Sequence, residues 1–250
     1  MPTNSIGRSE CETSLANRRW VEPVVLQGQW VRLEPLALDH VAGLTDVGLE
    51  AEIWRWMPIA VQTPGEMRTL VENALSDAAD GSQVPLATIE RASNRPVGST
   101  RYLNIDGTNR RLEIGWTWIS PRWQRSAINT EAKLLMMRHA FDTLGALRVE
   151  FKTDSLNERS RNALLGIGAI EEGTLRNHMI TQGGRRRHSV YYSVIEEEWP
   201  RVRQQLEARL ARHAREAEAA QAAAQEASAA EAAGNVDEAE PARPQSGEAS

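Results

Sequence analysis

The chain has 250 residues, a net charge of −5 and a single cysteine. This length allows one large domain or two small ones, and one cysteine cannot build a disulfide framework or a cysteine metal site. No apolar run approaches the roughly 20 residues that a membrane-spanning helix needs, and the polar N-terminus differs from a signal peptide. We therefore expect a cytoplasmic protein with no membrane partner and no metal.

The acidic charge is concentrated at the end of the chain. Residues 214–250 contain eight acidic and two basic residues, so the preceding 213 residues carry a net charge of only +1. The segment 213–250 is rich in Ala and Glu and lacks large apolar residues, which predicts a solvated acidic tail or an interaction segment. Residues 1–23 are polar and unpatterned and are predicted to be disordered. One domain is expected between them, over residues 24–212.

The first elements of this domain are a strand and two helices. Residues 24–36 alternate apolar and polar side chains, as a strand does, with Gly28 at a turn. Residues 38–49 suit a helix. After the tryptophan-rich stretch WRWMP (54–58), Thr63 can cap a second helix whose first position is Pro64.

The middle and end of the domain alternate strands with helices. Three strand patterns separated by turn residues predict an antiparallel meander over 85–91, 96–105 and 110–120. A helix over Thr130–Leu144 follows, with an inward stripe of Leu134, Leu135, Arg138, Phe141 and Leu144. The last elements are a strand, a short helix and a hairpin, at 147–153, 157–165, 169–176 and 188–195. This order indicates an α/β (α+β) fold with a mixed, mostly antiparallel sheet flanked by helices.

The loop WQRSAINTEAK (123–133) joins the third meander strand to the long helix. A helix that begins where a strand ends leaves its first N–H groups unpaired, and together with the helix dipole they form an anion site. Arg122 and Arg125 add positive charge on this side. Every strand-to-helix turn has this geometry, however, and few bind ligands. The loop is therefore either a phosphate-binding loop or an ordinary helix start.

Residues 24–199 resemble the GNAT superfamily of acetyl-CoA-dependent N-acetyltransferases, and most closely its Rim-type branch, which acetylates N-terminal α-amines of ribosomal proteins and other amines. Three segments in the family's order and spacing carry the resemblance: EIGWTWISPRWQRSAINTEAKLLMMRHAF (113–141), VEFKTDSLNERSRNALLGIGA (149–169) and SVYYSVIEEEW (189–199). The resemblance implies the GNAT fold and direct transfer of acetyl from acetyl-CoA to a primary amine in a ternary complex. The acceptor would be a protein N-terminal α-amine or a small-molecule amine. The alternative is a non-catalytic GNAT-fold module that binds a ligand or partner.

The same resemblance assigns an acetyl-CoA site. The family's loop pattern is Gln/Arg-x-x-Gly-x-Gly/Ala, so Ala127 replaces its first glycine and Asn129 stands where Gly or Ala is usual. Asn129 either contacts a phosphate or caps the helix, and Asn157 either contacts the pantetheine arm or caps its own helix. The residues implied for acetyl-CoA are Trp118, Ile119, Ser120, Gln124, Arg125, Ser126, Ala127, Ile128, Asn129, Thr130 and Asn157.

Two catalytic residues follow from the resemblance. Glu113 begins the EIGW strand and is the candidate general base; the alternative is an edge glutamate paired with an arginine such as Arg101 or Arg148. Many relatives use a tyrosine as the acid, but Leu164 stands at that position here. Rim-type members have a serine in the same helix, and Ser160 matches it.

The resemblance also bears on partners. Trp54 and Trp56 fall in a segment that borders the acceptor site in this family, so they are either a substrate wall or core residues. The run GGRRRH (183–188) lacks interleaved aromatic residues, and we expect no nucleic-acid partner. A homodimer is left open.

Overall fold

The computed structural model describes residues 19–234. Residues 19–209 form one compact unit, and residues 210–234 belong to a second unit. The predicted disorder of residues 1–18 and the tail beyond residue 234 lie outside the described residues. The packed chain begins earlier than residue 24, since Val21 is buried and Trp20 Nε1 donates to Leu144 O at 3.1 Å.

The strands and helices follow the predicted order, except that the strand predicted over 24–36 is two strands and an unpredicted short helix covers Ala51–Trp54. The strands are β1 Leu26–Gln27, β2 Val31–Pro35, β3 Val84–Glu90, β4 Arg95–Asp106, β5 Arg111–Ile119, β6 Arg148–Asp154, β7 Ile170–Ile180 and β8 Arg186–Ile195. The α-helices are α1 Val41–Gly48, α2 Ala51–Trp54, α3 Pro64–Asp77, α4 Ala127–Arg138, α5 Glu158–Gly166 and α6 Trp199–Gly234. A 3₁₀ turn, Leu38–His40, precedes α1, and a π-helical turn, His139–Thr143, extends α4. No described helix combines the length and apolar character needed to cross a bilayer.

All eight strands form one sheet in the order β1-β2-β3-β4-β5-β6-β8-β7. Every neighbouring pair is antiparallel except β5 and β6. The prediction of a mixed, mostly antiparallel sheet flanked by helices is therefore confirmed. The parallel pair lies in the middle because α4 carries the chain from the end of β5 back to the start of β6.

Helices cover both faces of the sheet. On one face, α1, α2 and α3 enclose an apolar cluster that includes Leu44, Trp54, Met67 and Trp118. On the other face lies α4, where Tyr102 of β4 donates its hydroxyl proton to Met136 O at 2.7 Å. We call these two surfaces the α3 face and the α4 face.

Two helix starts show how the sequence sets local structure. The predicted cap of α3 is confirmed: Thr63 Oγ1 accepts from Glu66 N, and Glu66 Oε2 accepts from Thr63 N. The predicted bounds of α4 were wrong, because Ser126 caps the helix and α4 begins three residues before Thr130. Arg138 was also wrongly placed on the inward stripe. It is exposed and its Nη2 lies 2.9 Å from Glu207 Oε1, since a buried guanidinium would need a partner inside.

Candidate active site

The central feature of the candidate site is a gap between β5 and β6. These strands pair over only three residues each, Arg111–Glu113 with Arg148–Glu150, and then separate. Beyond Glu113, β5 therefore has no strand partner on its β6 side within residues 19–234. A register shift between Ser99 and Arg101 and the positive φ of Trp116 (49°) mark a bulge in this part of β5. Bulges of this kind bend a strand and redirect its side chains.

Glu113 lies at the point where the two strands part. Its side chain is 2% exposed, and its Oε2 accepts from Asn104 Nδ2 at 2.7 Å and lies 3.5 Å from Lys152 Nζ. The alternative interpretation as an edge glutamate paired with an arginine is wrong, because β5 is a central strand and the partners are an amide and a lysine. Register places Glu113 beside Leu103 and Glu150, so its side chain projects onto the α3 face.

Both lysines of the chain lie beside this gap. Lys133 reaches from α4 to Thr117 Oγ1, to which it donates at 2.9 Å, and burial lowers its pKa to about 7 while the charge of Glu113 raises it. Lys152 lies on the α3 face near Tyr191, with Nζ 5.7 Å from the ring centre. Neither lysine was predicted. Lys133 carried a usable signal, since it is a charged residue inside the apolar stripe of a buried helix.

The start of α4 presents free backbone N–H groups. Ser126 Oγ accepts from Ile128 N at 3.3 Å, which leaves the N–H groups of Ala127 and Asn129 without a partner among the described residues. Asn129 does not cap the helix, because Ser126 does. Ala127 is buried and keeps helical geometry, while Arg125 next to the cap has a positive φ of 63°.

The other predicted loop residues divide into structural and exposed groups. Gln124 Nε2 donates to Ile119 O at 2.9 Å, and its Oε1 accepts from Arg159 Nη1 at 2.7 Å. Ser120 N donates to Val97 O at 3.0 Å. The side chains of Trp118, Ile119, Ser120, Ala127, Ile128 and Thr130 are buried, so a ligand would meet their backbone atoms. The guanidinium groups of Arg122 and Arg125 are exposed.

Asn157 and Ser160 lie in the first turn of α5. Asn157 Oδ1 accepts from Ser160 N at 3.1 Å, so Asn157 is the helix cap. Asp154 instead accepts from Leu156 N through Oδ1. The cap leaves the Nδ2 group of Asn157 available, and Ser160 is partly exposed.

The two candidate acceptor tryptophans lie in different environments. Trp54 is 1% exposed, donates from Nε1 to Gly48 O at 2.7 Å and packs on Trp118 with ring centres 5.3 Å apart. Its interpretation as a substrate wall was therefore wrong, and it belongs to the core. Trp56 is half-buried, and the Arg185 guanidinium carbon lies 5.5 Å from its ring centre.

Further polar residues surround this part of the α3 face. His178 shares a 3.0 Å hydrogen bond with Ser189 Oγ, and burial lowers its pKa, as do the charges of Lys152 and Arg187. Among residues 19–234, no three His, Cys, Asp or Glu side chains come together as a metal site. The arrangement presents backbone N–H groups to an anion at the start of α4, presents the unpaired edge of β5 to an extended ligand in the strand gap, and provides a buried carboxylate, Glu113, that can accept a proton.

The chain is similar to several known proteins. Residues 31–170 match the acetyltransferase (GNAT) domain family. Over 171 residues the chain is 35% identical to the Bacillus subtilis protein named "Putative ribosomal N-acetyltransferase YdaF", covering 67% of this chain and 90% of that protein. A GCN5-related N-acetyltransferase from Brucella melitensis is 31% identical, with a TM-score of 0.71 over 75% of this chain and 86% of its own. Mycobacterium smegmatis RimJ, solved in complex with CoA-disulfide, shares the fold at 21% identity, with a TM-score of 0.65 over 74% of this chain and 94% of its own.

Proposed function

Because the chain belongs to the GNAT family of acetyl-CoA-dependent acetyltransferases, we propose that it transfers acetyl directly to a primary amine within a ternary complex. The acceptor is a protein N-terminal α-amine or the amine of a small molecule. The observation that carries the proposal is the gap between β5 and β6, with the buried carboxylate of Glu113 where it opens. The ribosomal assignment in the name of the B. subtilis relative favours the α-amine.

The start of α4 would bind the phosphates of acetyl-CoA. The free N–H groups of Ala127 and Asn129 point out of the helix start, where the helix dipole favours negative charge. Arg122 and Arg125 add positive charge from exposed positions. Acetyl-CoA itself supplies an activated acetyl thioester. The unpaired edge of β5 beyond Glu113 and the Nδ2 group of Asn157 would hold the pantetheine arm.

Glu113 would accept a proton from the amine, and Ser160 would donate one to the leaving group. An amine must lose a proton to become a nucleophile, and a buried carboxylate can accept it directly or through a water. An α-amine with a pKa near 8 gives this proton up more readily than a lysine with a pKa near 10.4. Ser160 would donate a proton to the departing thiolate. Because alignment of the two substrates lowers much of the barrier, Ser160 should matter less than Glu113.

Titration calorimetry with acetyl-CoA tests the cofactor half of the proposal. We expect micromolar binding by the natural chain and a loss of roughly 10-fold or more in Ala127→Glu, since a carboxylate would enter the phosphate site. Ala127→Gln is the matched control, because it adds nearly the same volume without the charge. Equal binding by the natural chain and Ala127→Glu would refute the role of the loop. Absence of binding at physiological acetyl-CoA concentrations would refute the proposed function.

A further inference from the structure

A group of charged side chains lies on the α3 face beyond Glu113. Lys152 and Asp154 alternate along β6, and register sets them opposite Tyr191 and Ser189 of β8. Arg187 lies two residues before Ser189. Since every second residue of a strand projects to the same side, all of these side chains share the face of Glu113.

Arg187 is the member of this group whose charge is poorly satisfied. It is 5% exposed, and its Nε is buried without a hydrogen-bond partner among the described residues. The nearest carboxylate oxygen, Asp154 Oδ2, lies 3.8 Å from Nε and already bonds Arg185 Nη2 at 2.5 Å. Nη1 makes only a long contact of 3.4 Å with Trp56 O. A buried charged donor left without a partner is costly unless something else supplies the acceptor.

The charges of the side chains in and next to this group do not balance. The carboxylates are Glu113 and Asp154, and the cations are Lys152, Arg185 and Arg187. Glu150 also lies on this face, but it is paired with Arg148 and adds no net charge. His178 adds no charge at neutral pH, because burial and the nearby cations lower its pKa. One positive charge is therefore in excess before the buried Lys133 is counted. An acceptor that brought only an ammonium group would meet net repulsion here.

We infer that the acceptor carries a carboxylate, which binds Arg187 while its amine approaches Glu113. This inference rests on the proposed function and names the chemical class of its substrate. Lys152 Nζ lies 3.5 Å from Glu113 Oε2, and Arg187 Nε lies 3.8 Å from Asp154 Oδ2. Lys152 and Asp154 are two residues apart on β6, a distance of roughly 7 Å along the strand. One small molecule or one N-terminal residue pair can therefore span the two groups. The half-buried ring of Trp56 lies beside Arg185, and the Trp56 carbonyl oxygen contacts Arg187 Nη1.

Two matched acceptor pairs test the inference and identify the source of the carboxylate. The first pair is a hexapeptide with a free N-terminal serine and either Glu or Gln at its second position. The second pair is 4-aminobutanoate and its primary amide. We expect the anionic member of at least one pair to have a kcat/KM about 10-fold or more above its neutral partner, as for a charge-assisted hydrogen bond. Preference confined to the peptide pair would identify a protein acceptor, and preference confined to the other pair a small molecule.

Arg187→Met should remove this preference and leave acetyl-CoA affinity unchanged, because its side chain keeps the length but not the charge. Arg186→Met is the matched control, since Arg186 is the exposed neighbour on the opposite side of β8. Arg187→Lys keeps the charge and should retain part of the preference if Arg187→Met does not fold. Equal rates for both members of both pairs in the natural chain would overturn the inference and leave the proposed function standing. Failure to acetylate any of the four amines would count against the proposed function itself.

Discussion

The use of lysine is the most informative feature at the scale of single residues. The chain has 27 arginines and two lysines, and both lysines lie where β5 and β6 separate. Lysine and arginine differ in one respect that matters here: a buried lysine can lose its proton, whereas arginine keeps its charge. Lys133 has a pKa of about 7, so its charge changes in the pH range where an amine acceptor is also deprotonated. The net charge beside the strand gap should therefore become less positive as the pH rises through about 7.

Replacement of Lys133 by Met should change how stability depends on pH. Burial lowers the pKa of Lys133 from 10.5 to about 7, so between these values the unfolded chain holds a proton that the folded chain lacks. The free energy of unfolding should therefore rise with pH across this window. Between pH 7 and pH 9 the natural chain should gain about 2 kcal/mol more than Lys133→Met. Urea unfolding at both pH values measures this, and parallel pH profiles for the two chains would contradict it.

Replacement of Glu113 by Gln should lower kcat/KM by about 10²- to 10⁴-fold, the usual contribution of a general base. The amide keeps the size of the side chain and can still accept from Asn104. Acetyl-CoA affinity measured by calorimetry should not change. Glu150→Gln is the matched control, because Glu150 lies at the same level of the sheet but is bound by Arg148 at 2.8 Å. Full activity in Glu113→Gln would contradict the prediction and show that another group acts as the general base.

At the scale of elements, one side chain fixes α4 to the first hairpin. Glu131 is buried, and its carboxylate accepts from three consecutive N–H groups, those of Gln29, Trp30 and Val31, at 2.7, 2.7 and 2.8 Å. Gly28 is required beside it, since a Cβ there would lie 2.2 Å from Glu131 Cδ. The start of α4, which carries the proposed phosphate site, is thus anchored to β1 and β2.

Loss of this anchor should destabilise the whole domain. Glu131→Ala would leave three buried or half-buried N–H groups without an acceptor, and we expect the free energy of unfolding to fall by about 3 kcal/mol. Glu131→Gln keeps one acceptor oxygen and should lose about half as much. Urea unfolding with an unchanged m-value would measure the difference. A loss below about 1 kcal/mol in Glu131→Ala would show that water replaces the carboxylate.

The elements that the sequence predicted best were those with a strong local signal. Thr63 and Pro64 mark the start of α3 directly, and the turn residues of the meander separate its strands. The start of α4 was missed because Ala127 and Ile128 fit both a loop and a first helical turn, and only the Ser126 cap decides between them.

The candidate site was harder to predict because its groups come from distant strands. Glu113 could be identified from the EIGW pattern. Its pairing with Lys152, however, depends on the parallel register of β5 and β6. The contacts of Arg187 are with Asp154 of β6 and the carbonyl oxygen of Trp56, which are distant in the sequence. Neither contact leaves a local pattern in the sequence.

At the scale of the whole molecule, charge and packing are carried by different parts of the chain. Residues 213–250 carry a net charge of −6, so the chain up to Arg212 has a net charge of +1. The side chains of residues 215–228 are all exposed along α6. Helix-favouring Ala and Glu can form such a helix without a core to pack on. We therefore expect the residues before about 213 to provide the folded core, and the residues after it to contribute mainly negative charge, which affects solubility.

A chain that ends at Arg212 tests this separation. Since the side chains of residues 215–228 are exposed, we expect the midpoint of thermal unfolding to stay within about 2 °C and the acetyl-CoA affinity within about 2-fold. The change in net charge should make the shortened chain migrate as a basic protein and lower its solubility near neutral pH, where little net charge remains. Calorimetry and electrophoresis measure both effects. A fall of 5 °C or more, expected if about 2 kcal/mol were lost, would mean that residues 213–250 take part in folding.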